Sequence, residues 1–175
     1  MAATFQLPVG LPPLPPELAA LAALAGVAPG TERNPDEIVR QAFRIGRMRL
    51  LAPFEVSSEL TEMPPVYPLP RMPANLLGLV NLHGRILPLF DLAALLETEH
   101  LAREKRMLLV IGHGNNAAGI VIDGLPRRMA FLPESQIVPP ALPAAAAGAL
   151  RASYSAGRDA WYEFDYAQLL DQLVS

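Results

Sequence analysis

Cysteine is absent from the 175 residues. That removes disulfides, thiolate zinc sites and cysteine nucleophiles together. Aromatic residues are scarce, at 6%, too few for the stacking track on which single-stranded nucleic acid is bound. Basic charge is also short: 14 Lys and Arg stand against 17 Asp and Glu, a net charge of −3. A general affinity for phosphate backbones or anionic lipid, which needs clustered cations, is not expected. No apolar run is long enough to cross a bilayer, since Leu18–Ala28 is short and alanine-rich. The opening Met1–Gly10 lacks the cations of a signal peptide. The chain is therefore expected to be cytoplasmic, with no membrane insertion.

What is abundant is apolar residue, 51%, and proline, 19 in all. Residues 1–36 stand apart as a Pro/Ala-rich extension. Pro8, Pro12, Pro13, Pro15 and Pro16 impose an extended approach, and Glu17–Ala25 then predicts a short helix with Leu18, Leu21 and Leu24 on one face. This segment reads either as a tail with one docking helix or as a peptide that binds a partner. Asn34-Pro35-Asp36 is a turn signal that closes it.

From residue 37 the pattern is β. Ala42–Arg49 predicts a hairpin around Gly46, and Leu76–Leu82 with Arg85–Phe90 another around His83-Gly84. Met107–Ile111 and Ala117–Ile122 make a third pair across a polar loop. Asp123-Gly124 reads as a turn, with Pro126–Leu132 and Ala160–Phe164 as weaker strands. The prolines at 64, 65, 68, 70 and 73 predict an extended crossover between two lobes. Glu97–Arg106 reads as a solvated helical or linker face, and Pro139–Ala149 as a surface loop.

Two segments share the pattern Asp-x-Ala-x-Leu-Leu, beginning at Asp91 and Asp165. Each aspartate is placed to cap a helix. Phe90 with Leu95, and Phe164 with Leu169, fall at hydrophobic-staple positions. Each follows an apolar strand opened by Gly-Arg, which predicts two similar small barrels built on one plan.

Chemistry is hard to place on these residues. Asp91 and Asp165 have capping duties, and Asp123 has a turn to make, so paired-carboxylate catalysis has no support. His83, His100 and His113 lack the spacing of metal ligands. Ser57, Ser58, Ser153 and Ser155 occupy no nucleophile elbow. Gly112–Asn116 lacks the Lys-Ser/Thr end of a phosphate loop. Tyr154, Trp161, Tyr162, Phe164 and Tyr166 read as core and edge packing, and Arg127-Arg128 as an isolated basic pair. No catalytic residue, metal or cofactor is expected.

Pro73–Leu92, reading PANLLGLVNLHGRILPLFDL, resembles the signature of CheW-like coupling proteins: a proline-rich approach, Gly-x-x-Asn-x-Arg-Gly, a proline-bearing strand, then Asp-Leu. Ala118–Leu125 and Val56–Leu60 are similar to two further family segments in the same order. The resemblance covers about residues 40–173. It implies a mainly β fold of two SH3-like five-stranded barrels, so that residues 37–175 form one CheW-like domain of two lobes. It also implies a non-enzymatic signalling adaptor between the cytoplasmic tip of a chemoreceptor and the regulatory domain of a CheA-like histidine kinase, in chemotaxis or type IV pilus motility. The alternative is a structural or assembly scaffold that kept the fold without kinase coupling. The receptor-side residues it implies are Glu59, Asn81, His83, Arg85, Leu125 and Arg128. At Arg128 the family tends to be apolar, and His83 stands where the family has arginine. Either Arg85, just past the turn, supplies the displaced charge, or the partner differs at that contact.

Overall fold

The computed structural model describes residues 34–174, with the backbone alone for Ser58. The expected helix at Glu17–Ala25 and the proline run before it lie outside the described residues. Asp36–Ser175 is one compact unit. Its strands are β1 (Ile38–Ile45), β2 (Met48–Ala52), β3 (Ser57–Glu62), β4 (Val66–Tyr67), β5 (Leu76–Leu82), β6 (Arg85–Phe90), β7 (Arg106–Ile111), β8 (Ala118–Phe131), β9 (Leu150–Ala156) and β10 (Asp159–Phe164). Two short helices, α1 (Ala144–Ala147) and α2 (Tyr166–Val174), complete it.

The turns form where the sequence supplies residues that tolerate positive φ. Gly46 (φ 57°) joins β1 to β2, and Gly157 (φ 63°) precedes Arg158 between β9 and β10. His83 (φ 51°) and Gly84 (φ 83°) are both left-handed, the conformation that matches a two-residue hairpin to strand twist. The expected hairpins at 42–49, 76–90 and 107–122 are all present.

Asp123-Gly124 is not a turn. It lies inside β8, which runs unbroken through Pro126 and absorbs the expected separate strand at 126–132. Gly124 (φ 71°) sits in a bulge: Ala42 and Arg44 of β1 face Arg127 and Asp123, so β8 carries the extra residues. The bulge bends β8 so that its two halves serve different lobes. Its first half pairs antiparallel with β7 and parallel with β6, while its second half pairs with β1. One lobe therefore comprises β1, β2, β9, β10 and the end of β8, and the other β3–β7 with the start of β8. The proline-rich stretch is not a crossover between lobes. It folds back within one, where Val66 and Tyr67 pair with Val80 and Leu79.

Strands buried on both faces read as continuous apolar runs, and alternation sorts their side chains between three clusters. Phe43, Leu50, Leu109, Ile120 and Phe164 enter a large core shared by the lobes. Their neighbours point the other way. Leu108, Val110 and Val121 fill one barrel, while Ala42, Leu51 and Trp161 fill the other. The aromatic group at 154–166 is core packing, as its sequence suggests: all five are buried. Tyr166 stacks obliquely on Phe43 and donates its hydroxyl to the Leu51 carbonyl at 2.7 Å. Burial raises its phenol well above the ordinary value, with the Glu163 charge adding to the effect, so the donor is kept.

The two Asp-capped segments diverge. After β10, α2 forms as expected: the Asp165 carboxylate accepts from Gln168 N–H at 3.1 Å and also pairs with Arg151. After β6, residues 91–97 make one turn and stop, because Glu97 turns left-handed (φ 50°). Leu96 N–H donates to Leu92, but Thr98 N–H reaches back to Ala93, overshooting the helical ladder. Asp91 still caps this turn, accepting from Ala93 N–H at 2.9 Å. Residues 98–105 form an irregular loop, not a helix, and 144–147 a helical turn inside the expected loop. The backbone bond to Gln168 N–H, then Arg151, lowers the Asp165 pKa. Its stabilising effect is thus present above the ordinary carboxylate range and fades as pH falls through the lowered value. Asp165→Ala is expected to cost about 0.5–2 kcal/mol at neutral pH. Thermal melts should show the mutant and parent converging in acid, whereas a gap constant with pH would contradict the capping role.

Candidate functional site

The β5–β6 hairpin tip is held by its own side chains. Asn81 Oδ1 accepts from Gly84 N–H at 2.9 Å, an Asx-type bond that fixes the turn. His83, left-handed at the corner, projects outward with 81% of its side chain exposed. Its Nε2 lies 2.9 Å from Glu59 Oε1 on β3, so the hairpin tip is latched across to a second strand. Arg85 sits directly opposite Leu82 and is exposed, and Ile86, opposite Asn81, exposes 60% of its surface. The result is an exposed apolar residue, Ile86, on the hairpin face that carries Asn81, close to the turn that His83 and Glu59 latch, while Arg85, opposite Leu82, starts on the other face. Ile86 escaped the sequence reading, although alternation in β6 carries the signal: Leu87 and Leu89 point inward, so residue 86 must point out.

Leu125 and Arg128 sit elsewhere. Leu125 follows the Gly124 bulge and is 72% exposed, beside Glu62, Lys105 and Met107. Arg128 is exposed on the half of β8 that belongs to the other lobe, opposite Gln41 of β1. The structure gathers Glu59, Asn81, His83 and Arg85 about the hairpin tip, with Arg85 on the opposite face from Asn81, and leaves Leu125 and Arg128 apart.

A buried polar junction, unmarked in the sequence, sits behind the bulge. The Asp123 carboxylate is fully buried. Its Oδ2 accepts from Gly46 N–H at 2.6 Å and Leu101 N–H at 3.2 Å. Its Oδ1 meets His100 Nδ1 at 2.8 Å, and His100 Nε2 meets Asp91 Oδ1 at 3.0 Å. Four places in the chain, at residues 46, 91, 100–101 and 123, are thus tied by side chains that satisfy backbone donors and one another. Gly46 makes the approach possible, since a Cβ there would come within 2.1 Å of the Glu99 carbonyl oxygen. Each oxygen of Asp123 is engaged in holding backbone or histidine, which is structural duty. Among the described residues no cluster of His, Asp and Glu is set to hold a metal ion.

A partly buried ion pair joins Arg40 of β1 to Glu163 of β10 at 2.6 Å. Arg127 is less isolated than its sequence context suggests: its guanidinium lies over the Trp161 ring, 5.5 Å from the centroid. Among the described residues no helix is long and apolar enough to cross a membrane.

Residues 41–174 match the CheW-like domain family. Among curated proteins the chain is 35% identical over 104 residues to Protein FrzA of Myxococcus xanthus, covering 57% of this chain and 62% of that one. It is 34% identical over 82 residues to Protein PilI of Pseudomonas aeruginosa, covering 46% of each. A chemotaxis protein CheW of Rhizobium meliloti is 27% identical over 85 residues, 48% of this chain and 55% of that protein. The chain thus matches less than two thirds of the length of each of these relatives. Among solved structures, scaffolding protein TtCheW from Thermoanaerobacter tengcongensis superposes with a TM-score of 0.61 at 15% identity, covering 73% of this chain and 88% of that one. That likeness establishes the mainly β, two-lobed SH3-like architecture. With most of its length inside the family match, and with the fold to go with it, the chain belongs to the CheW-like domain family.

Proposed function

We propose that this chain is a cytoplasmic, non-enzymatic signalling adaptor that joins the tip of a chemoreceptor to the regulatory domain of a CheA-like histidine kinase. The observation that supports this most is the hairpin tip, where Ile86 stands exposed beside Asn81 and close to the His83–Glu59 latch. An apolar centre with a polar rim is the anatomy of a protein-docking patch. The relative named as a chemotaxis protein points the same way. Leu125 extends the receptor-side reading along β8, and Arg128 would meet the partner only if it spans both lobes.

His83 is the specificity position in this reading. Arginine presents a rigid planar fork of donors, whereas histidine presents a small ring with two nitrogens. Calorimetric titration of the full chain with a co-encoded receptor tip should show His83→Ala weakening binding by about 1–3 kcal/mol and His83→Arg changing the affinity measurably. Equal affinities for the three forms would remove His83 from the contact. The alternative role, an assembly scaffold without kinase coupling, predicts that the kinase regulatory domain gives no heat with any form.

A further inference from the structure

A cleft of about 300 Å³ opens where β1, β2, β8 and β10 meet, with Leu125 on its lining. Arg44, Arg49 and Arg127 line it. Arg49 has a partner, Asp159 at 3.1 Å. The other two arginines do not: among the described residues neither Arg44 nor Arg127 has a carboxylate within ion-pair distance. Arg44 Nε is buried and makes no hydrogen bond. A buried donor without a partner is unfavourable, and a guanidinium is the costliest kind to leave so.

The other acids on the cleft do not answer it. Asp123 has its oxygens occupied by Gly46, Leu101 and His100, and Glu104 is exposed to solvent. Arg127 makes a cation–π contact with Trp161, 5.5 Å from the ring centroid, which leaves its N–H donors without a carboxylate partner. The exposed Leu125 adds an apolar rim.

We propose that this cleft is a second docking site, which takes an acidic segment of a partner protein. A carboxylate of that segment pairs with Arg44 and Arg127, and an adjacent large apolar side chain rests on Leu125. The fit is one of charge and shape: two unpaired planar cations, one of them half-buried, favour bidentate carboxylate over a point anion. The site does not depend on the adaptor reading, with which it shares only Leu125.

The test uses the full chain and a fluorescein-labelled peptide, Gly-Leu-Glu-Glu-Leu-Gly, with its Gln-for-Glu counterpart. By fluorescence anisotropy the Glu peptide should bind at least about tenfold more tightly than the Gln peptide. Arg127→Gln and Arg44→Lys should each weaken it by about tenfold, the latter because lysine lacks the planar fork. The Nε–H resonances of Arg44 and Arg127 should shift on binding, and His83→Ala should leave the affinity unchanged. Arg127 is exposed, so its variant carries the test even if changes at Arg44 disturb the fold. Equal binding of the two peptides, or no effect of Arg127→Gln, would overturn the proposal. So would loss of binding in His83→Ala, which would place the peptide on the hairpin. Displacement of the peptide by inorganic phosphate at equal concentration would also overturn it, showing a small-anion site.

Discussion

Replacing Asp123 by alanine is expected to lower stability by about 3–5 kcal/mol, because one buried acceptor is removed from several donors packed around it. Three groups lose their acceptor at once: Gly46 N–H, Leu101 N–H and His100 Nδ1. They belong to the β1–β2 turn and the 98–105 loop, which touch the start of β8 through this carboxylate. Buried backbone donors left unpaired each carry a desolvation penalty of about 1–3 kcal/mol. Asp123→Asn should recover much of the loss. Its amide oxygen can serve the two backbone donors, and its NH2 can donate to a neutral His100 ring. Urea unfolding should therefore rank parent, Asn and Ala in that order. A loss below about 1 kcal/mol for the alanine mutant would mean water takes over the site.

Phe164→Ala should cost about as much, 3–5 kcal/mol by the usual scale for emptying a buried phenylalanine site. Its effect should also travel. Phe164 ends β10 in one lobe, yet it packs in the cluster that holds Met107, Leu109 and Ile111 of β7 in the other. The cavity therefore loosens the seam between lobes. Hydrogen exchange should accelerate on β7 as well as on β9 and β10. Trp161→Ala, in the cluster confined to its own barrel, should speed exchange mainly there. Protection on β7 unchanged by Phe164→Ala would show that each barrel stands alone.

Hairpins were legible from residues alone because local chemistry dictates them. His83-Gly84 and Gly46 supply positive φ, and the apolar runs on either side have nowhere else to pair. The capped helix at Asp165 was equally plain. Its counterpart at Asp91 was not, since the same pattern is cut short by Glu97 and by the pull of His100 on the Asp91 carboxylate. Propensity cannot anticipate that contact. Nor does Asp-Gly announce whether it turns a chain or bulges a strand. At Asp123-Gly124 the answer lies in Gly46 and Leu101, far along the chain, whose N–H groups call for a buried acceptor. At the candidate interface, family likeness located Glu59 and His83 separately, and only the fold showed them hydrogen-bonded at 2.9 Å. Arg44 and Arg127 gave no signal, because neither is unusual until the strands bring them to one cleft.

The division of β8 between lobes sets an order of assembly on the ribosome. Residues 57–123 emerge with the pairing partner of each strand inside that span, although Leu109, Ile111 and Ile120 still wait for the shared core to close. The β1–β2 hairpin is made first but matures last, because Leu50 and Leu51 await Tyr162 and Glu163 on β10. Until the final strands leave the exit tunnel, β2 presents an open edge to any other nascent chain. A chaperone, or slow translation through the Ala-rich stretch before α1, would most affect yield at that moment, through capture of this one unpaired edge.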